Sequence, residues 1–256
     1  MNSVVLLTDF GIHDPYVGQM RGVLAQSGQP IHTIDLTHAI PDFDLLTGHW
    51  MISRCQQHFP HDAYWLCVVD PGVGSARAPL WVTVGERAFI GPDNGLLTWA
   101  LSQPGAQVMQ IDATAFAPPS HTFHGRDLFA QAIAHAIRSG PRALLTPLQS
   151  DPIRLSPSAW YQEEQERIRA RIQWIDHYGN VVTSLADAKK LDGRVVLPSG
   201  QSILLPQVDT FSALPVGEAG LLVGGFGALE AVLNQASFSK KYSLKIGDWL
   251  TFIKKC

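Results

Sequence analysis

The sequence predicts an α/β protein: an N-terminal, mainly parallel α/β sandwich domain (1–149) followed by a smaller C-terminal all-β, barrel-like domain (168–256), with a linker at 150–167. Three observations carry this. Strand-like and helix-like runs alternate through the first part, the pattern of a parallel sheet covered on both faces. Composition changes near residue 150, where SDPIRLSPSAWYQEEQER is rich in Pro, Ser and charge. Beyond it, short strand-like runs are punctuated by Gly and Pro, as in small sandwiches and barrels.

Taken in order, VVLLTDF (4–10) is a short apolar run and reads as a buried strand. Helical spacing follows over Tyr16–Ala25. IHTIDLT (31–37) predicts a strand, LLTGHWMISRCQQHF (45–59) a helix and AYWLCVVD (63–70) a further strand. LWVTVGERAFIGPDNG (80–95) alternates about Gly85–Glu86 and predicts a hairpin. A helix begins between Gly95 and Leu101, VMQID (108–112) is a strand, and DLFAQAIAHAIRSG (127–140) is a helix stopped by Gly140. The C-terminal runs are RIRARIQWIDHYGNVVTSL, RVVLPSGQSILL, AGLLVGGFG and DWLTFIKK.

The 256 residues suffice for a buried core, and 46% hydrophobic with 16% charged residues describes a globular chain. A net charge of −3, with no Lys/Arg block longer than two, argues against a nucleic-acid-binding face. MNSVVLLTDF lacks a basic leader and its apolar run is short, so neither signal peptide nor membrane span is expected. Cys55, Cys67 and Cys256 are scattered and form no CxxC pair, which favours a reducing cytoplasm.

Two apolar strands end in an acid followed by turn residues: Asp9 after VVLLT and Asp70 after WLCVV. Ligands bind outside the carboxyl ends of strands in open α/β sheets. Asp9, Asp70, the FIGPDNG loop and His124 before its helix are therefore expected at one edge. Residue types alone leave other readings open. An Asp after a strand also serves as turn residue or helix cap, Asp127 suits a helix first turn, and Phe43, Tyr16 and Trp50 suit a core. Asp9, Asp14, Asp70, Asp93 and His124 could make an oxygen-rich metal site, although no HxH, HxxxH or DxH pair occurs among these segments.

Five segments in order, TDFGIHDPYVGQMRGV, VVDPGVGSAR, FIGPDNGLL, TFHGRDLFA and IDHYGNVVT, resemble the SAM hydroxide adenosyltransferases, which hydrolyse S-adenosylmethionine (SAM) to adenosine and are related to the SAM-dependent fluorinase and chlorinase. The resemblance implies attack of water or hydroxide at ribose C5′, with methionine leaving, no metal and no cofactor. It places water activation on Asp70, Arg77 and His124, with either Asp70 or His124 as the base. It implies that Asp9 binds the ribose hydroxyls and that Phe43 lies against the sugar or adenine. Asp176 would meet the methionine ammonium, Asn180 would read adenine or the amino-acid part, and Phe226 and Glu230 would lie in an adenine-binding segment. Two departures stand out: Gly224-Gly225 where relatives have Asn-Ser, and Arg77-Ala78 where they have Arg-Arg. A homotrimer, with sites between subunits, is also implied. The fluorinating relatives lack the histidine at position 124. The alternatives are halide-dependent adenosyl transfer and a non-catalytic SAM- or adenosine-binding protein.

Overall fold

A computed structural model of the chain describes residues 2–117, 120–186 and 191–255. It divides into two compact units at Leu155/Ser156.

The N-terminal unit is built on a seven-stranded sheet of order β2-β1-β3-β5-β4-β6-β7. The strands are β1 (Asn2–Thr8), β2 (Ile31–Thr37), β3 (Tyr64–Val68), β4 (Pro79–Val84), β5 (Arg87–Pro92), β6 (Gln107–Ile111) and β7 (Leu145–Pro147). β1 pairs in parallel with β2 and β3, and β3 with β5. β4 runs antiparallel to β5 and β6, and β6 antiparallel to β7, so only β4 and β7 oppose the common direction. The residues of β1 from Val4 to Thr8 are all buried, as expected of a strand covered on both faces. The hairpin turns at Gly85, where φ is 60°, as its sequence predicts.

Helices α1 (Tyr16–Ala25), α2 (Leu45–Cys55), α3 (Thr98–Leu101) and α4 (Gln131–Ser139) flank the sheet. α2 begins at Asp44, whose carboxylate accepts the Thr47 N–H at 3.1 Å. Met20 and Leu24 of α1 pack with Phe129 and Ile133 over β1 and β3 in one core cluster. Each such buried side chain contributes about 1.5–3 kcal/mol. α4 ends at Gly140, in positive φ, as its sequence predicts. Its beginning differs from expectation: a π-helical turn over Gly125–Ala130 precedes it, so the helical segment starts just behind His124.

The C-terminal unit is an eight-stranded antiparallel sheet of order β12-β11-β15-β9-β10-β14-β13, with β8 paired on β9. Its strands are β8 (Tyr161–Glu163), β9 (Arg167–Ile175), β10 (Val181–Thr183), β11 (Leu191–Val196), β12 (Ser202–Leu204), β13 (Ala219–Val223), β14 (Leu229–Leu233) and β15 (Trp249–Lys254). Irregularities in the β9–β10 and β11–β15 registers mark where the sheet bends. A single-turn helix, α5 (Phe238–Lys241), follows β14. The stretch read as a linker is divided between the units. Ile153 N–H is bound by Asp93 Oδ1 at 2.8 Å in the first unit, and β8 lies in the second. Cys55 and Cys67 are buried free thiols, with burial raising both pKa values, that of Cys55 to about 11. Cys256 lies outside the described residues. Among the described residues no helix is long and apolar enough to cross a membrane.

Candidate active site

Asp9 and Asp70 follow adjacent parallel strands, whose last paired residues are Thr8 and Val68. Both acids therefore emerge at the carboxyl edge of the sheet, as the strand endings predict. Asp70 meets Arg77 across the glycine-rich turn: Arg77 Nε donates to Oδ1 at 2.8 Å, and a terminal guanidinium nitrogen donates to Oδ2. The side chains are 4% and 10% exposed. A two-point pair this deeply buried is geometrically rigid. Asn94 braces the same edge by donating from Nδ2 to Val69 O at 2.9 Å.

Gly74 brings the loop of His124 to this pair. Its φ is +82°, and a Cβ there would stand 2.5 Å from the His121 carbonyl oxygen, so only glycine permits the approach. His124 lies close enough to Arg77 to sense its charge. Burial, followed by Arg77 and His121, lowers its pKa, while Asp127 opposes them. The neutral form of the imidazole is thus favoured. Asp127 itself accepts Ser120 N–H at 3.1 Å and pairs with Arg126, the local helix-end role its position suggests.

Asp9 accepts the Phe43 N–H on Oδ2 at 3.0 Å, and burial raises its pKa. Phe43 has φ 64° and is 65% exposed, so an apolar ring is held in solvent by strained backbone. Trp50, by contrast, is core. Three rings tie the Asp9 loop to the His124 loop edge to face: Phe10–Tyr16 at 5.6 Å, Phe10–Phe123 at 5.8 Å and Tyr16–Phe123 at 5.1 Å. The acids of the metal-site reading are otherwise engaged. Asp70 holds Arg77, Asp93 holds Ile153 N–H, and Asp14 is exposed. Among the described residues no group of three or more His, Cys, Asp or Glu is arranged to hold a metal ion.

In the C-terminal unit, Asp176 and Asn180 close the β9–β10 turn. Asp176 Oδ1 accepts Tyr178 N–H at 3.0 Å and Asn180 N–H at 2.8 Å, and Oδ2 accepts Asn180 Nδ2 at 2.8 Å. Gly179 (φ 86°) packs against Ser237 too closely for any Cβ. The turn thereby borders an open cleft of about 450 Å³ walled by Tyr178, Asn180, Phe211, Asn234, Gln235 and Ser237. Two aromatic rings among carboxamides suit a flat, hydrogen-bonding heterocycle. Sequence reading missed Tyr178, although it lies in the same turn as Asn180, and Phe211, which reaches the cleft from a segment far along the chain. Phe226 and Glu230 do not line this cleft; they lie at the β13–β14 hairpin. Glu230 is buried, and a Cβ on Gly224 would collide with its carboxyl group. Burial, then the nearby Asp176 charge, raises its pKa to about 7.

Residues 4–145 match the SAM hydroxide adenosyltransferase N-terminal domain, and residues 170–251 match the C-terminal domain. The chain belongs to the SAM hydroxide adenosyltransferase family. A Thermus thermophilus relative named (R)-S-adenosyl-L-methionine hydrolase is 33% identical over 258 residues, covering 96% of this chain and 98% of that protein. A crystal structure of an uncharacterized conserved protein from Thermotoga maritima superposes with a TM-score of 0.85 at 27% identity, covering 97% of this chain and 99% of that one. A protein of Actinopolyspora mzabensis named fluorinase is 24% identical over 282 residues, 95% of this chain and 94% of that protein. The Asp70–Arg77 pair and His124, which senses the charge of Arg77, both fall within the matched N-terminal domain.

Proposed function

We propose that this protein hydrolyses SAM to adenosine and L-methionine. One observation carries the reading: a buried Asp70–Arg77 pair at the sheet edge, with the loop leading to His124 held against its turn by the Gly74–His121 contact. Water oxygen attacks ribose C5′, the C5′–S bond breaks with its electrons passing to sulfur, and methionine leaves as a neutral thioether. The sulfonium is already a good leaving group, so the reaction needs no acid, metal or cofactor at sulfur. What remains is to align the oxygen and accept its proton.

Both Asp70 oxygens are engaged by Arg77, yet each retains a lone pair with which to orient water. His124 is therefore assigned as the proton acceptor and Asp70 as the orienting group, fixed by Arg77. Asp9 holds the ribose diol, with Phe43 against the sugar. The cleft beside Asn180 takes the adenine, and Asp176 offers its remaining lone pairs to the methionine ammonium. Phe226 and Glu230, which the resemblance assigns to adenine, lie outside that cleft; Glu230, near Asp176, borders the amino-acid end instead. A homotrimer is the proposed working state, and full activity in a proven monomer would count against it. The free thiols suit a cytoplasmic location.

Incubation with SAM and chromatography of the products tests the reading. Adenosine formed without halide supports it; no adenosine above spontaneous breakdown overturns it. A 5′-halo-adenosine that forms only with chloride or fluoride would favour adenosyl transfer to halide. Tight SAM binding without turnover would favour a binding protein.

A further inference from the structure

A second constellation lies directly behind Asp9. The Thr8 hydroxyl is 2.8 Å from His38 Nδ1 and accepts the Phe10 N–H at 3.2 Å. His38 O accepts the Gly11 N–H at 2.8 Å. His38 Nε2 lies 3.1 Å from Asp35 Oδ1, close enough for charge interaction though not aligned as a hydrogen bond, and Asp35 pairs with Arg21.

The connectivity hydroxyl–imidazole–carboxylate is that of a nucleophilic triad. Burial rules that use out: Thr8 is 0% exposed, and its oxygen already accepts a backbone N–H. Thr8 Oγ1 accepts from Phe10 and keeps its own proton to donate to His38 Nδ1, an arrangement that leaves Nε2–H facing Asp35. His38 is 6% exposed and anchors the chain on both sides of Asp9, through Thr8 before it and Gly11 after it.

We propose that His38 is a positioning residue for ribose recognition, holding the Asp9 carboxylate at the sugar through Thr8 and Gly11 while Asp35 and Arg21 fix its ring. The assignment rests on the SAM-hydrolase reading and on Asp9 as the ribose-binding group. It predicts a loss that depends on the sugar and not on the reacting centre. A displaced carboxylate weakens a contact made equally in ground and transition states, so KM rises while kcat is largely kept.

The experiment compares kcat/KM for SAM and for a SAM analogue lacking the ribose 2′-hydroxyl, using the full-length parent, His38→Ala and His38→Asn. His38→Ala is expected to lower kcat/KM for SAM by about tenfold or more, mainly through KM, the scale of a charge-assisted hydrogen bond. It should change the value for the 2′-deoxy analogue by less than about threefold. His38→Asn, whose carboxamide oxygen can replace Nδ1 as acceptor for Thr8, should recover most of the loss. The ratio between substrates within one sample does not depend on how much of a variant is folded. An equal loss on both substrates, or none on either, overturns the proposal. If the parent hydrolyses neither substrate, the SAM reading itself fails.

Discussion

Gly74 and His121 approach so closely that a Cβ on the glycine would stand 2.5 Å from the histidine's carbonyl oxygen. This contact locks the turn between Asp70 and Arg77 to the loop that ends in His124. Gly74→Ala would introduce both the collision and an unfavourable positive φ, and the loops must part to accommodate them. Turnover should fall at least about tenfold, because small misplacement of reacting groups is costly. The sheet edge at Asp70 remains braced by Asn94, so a thermal melt should show a folded protein. Parental kcat in this variant would show that the approach has no part in assembling the site.

His124 sits where burial and Arg77 both disfavour its charged form. If the neutral imidazole accepts the proton, activity is present above its pKa and lost as pH falls through it. The acid limb of kcat/KM should accordingly lie below the ordinary histidine value of about 6.5. Asp127 opposes this shift, so Asp127→Asn should move the limb to still lower pH. His124→Ala and Asp70→Ala should each cut turnover about tenfold to a thousandfold. A limb above 6.5, or an Asp127→Asn limb displaced upward, contradicts the assignment of His124 as base.

The strand endings made Asp9 and Asp70 legible, because apolar runs stopping at an acid are a local signal and sheet topology supplies the rest. The Gly85–Glu86 hairpin and the Gly140 helix stop were legible for the same reason. His38 was not. Its partners Thr8 and Gly11 lie about thirty residues away, with no spacing rule linking them, and a histidine after IHTIDLT looks like any exposed loop residue. Phe211 was equally hidden, since its place beside Asn180 exists only once β14 has paired with β10 and β13 with β14. The π-helical turn at Gly125 has no distinguishing residue pattern; a Cβ on Gly125 would crowd Met20, a contact that spacing along the chain does not reveal.

Glu230 makes stability depend on pH in the direction opposite to a salt-bridged acid. Its folded pKa of about 7 exceeds the ordinary 4.5, so between those values the folded state keeps a proton that the unfolded chain has lost. Stability therefore falls as pH rises across that window, by at most about 3 kcal/mol. Glu230→Gln removes the cost of charging and should gain on the parent between pH 5 and pH 8. Urea melts of both proteins at the two pH values measure this, and a pH-independent difference would show that Glu230 is not burying its charge.

Phe43 separates stability from substrate binding. Its positive φ costs on the order of 1 kcal/mol, and its ring is largely in solvent, so the residue adds little to the core. Phe43→Gly relieves the strain but loosens the unfolded chain by about 0.4–1 kcal/mol, and the two effects nearly cancel. The melting point should therefore stay close to that of the parent. The backbone N–H that binds Asp9 is retained, so Asp9 keeps its place and only the ring is lost. KM for SAM should rise severalfold, with kcat changed less, because a ring resting on the sugar contributes binding common to ground and transition states. A large drop in melting temperature with unchanged KM would instead make Phe43 a packing residue.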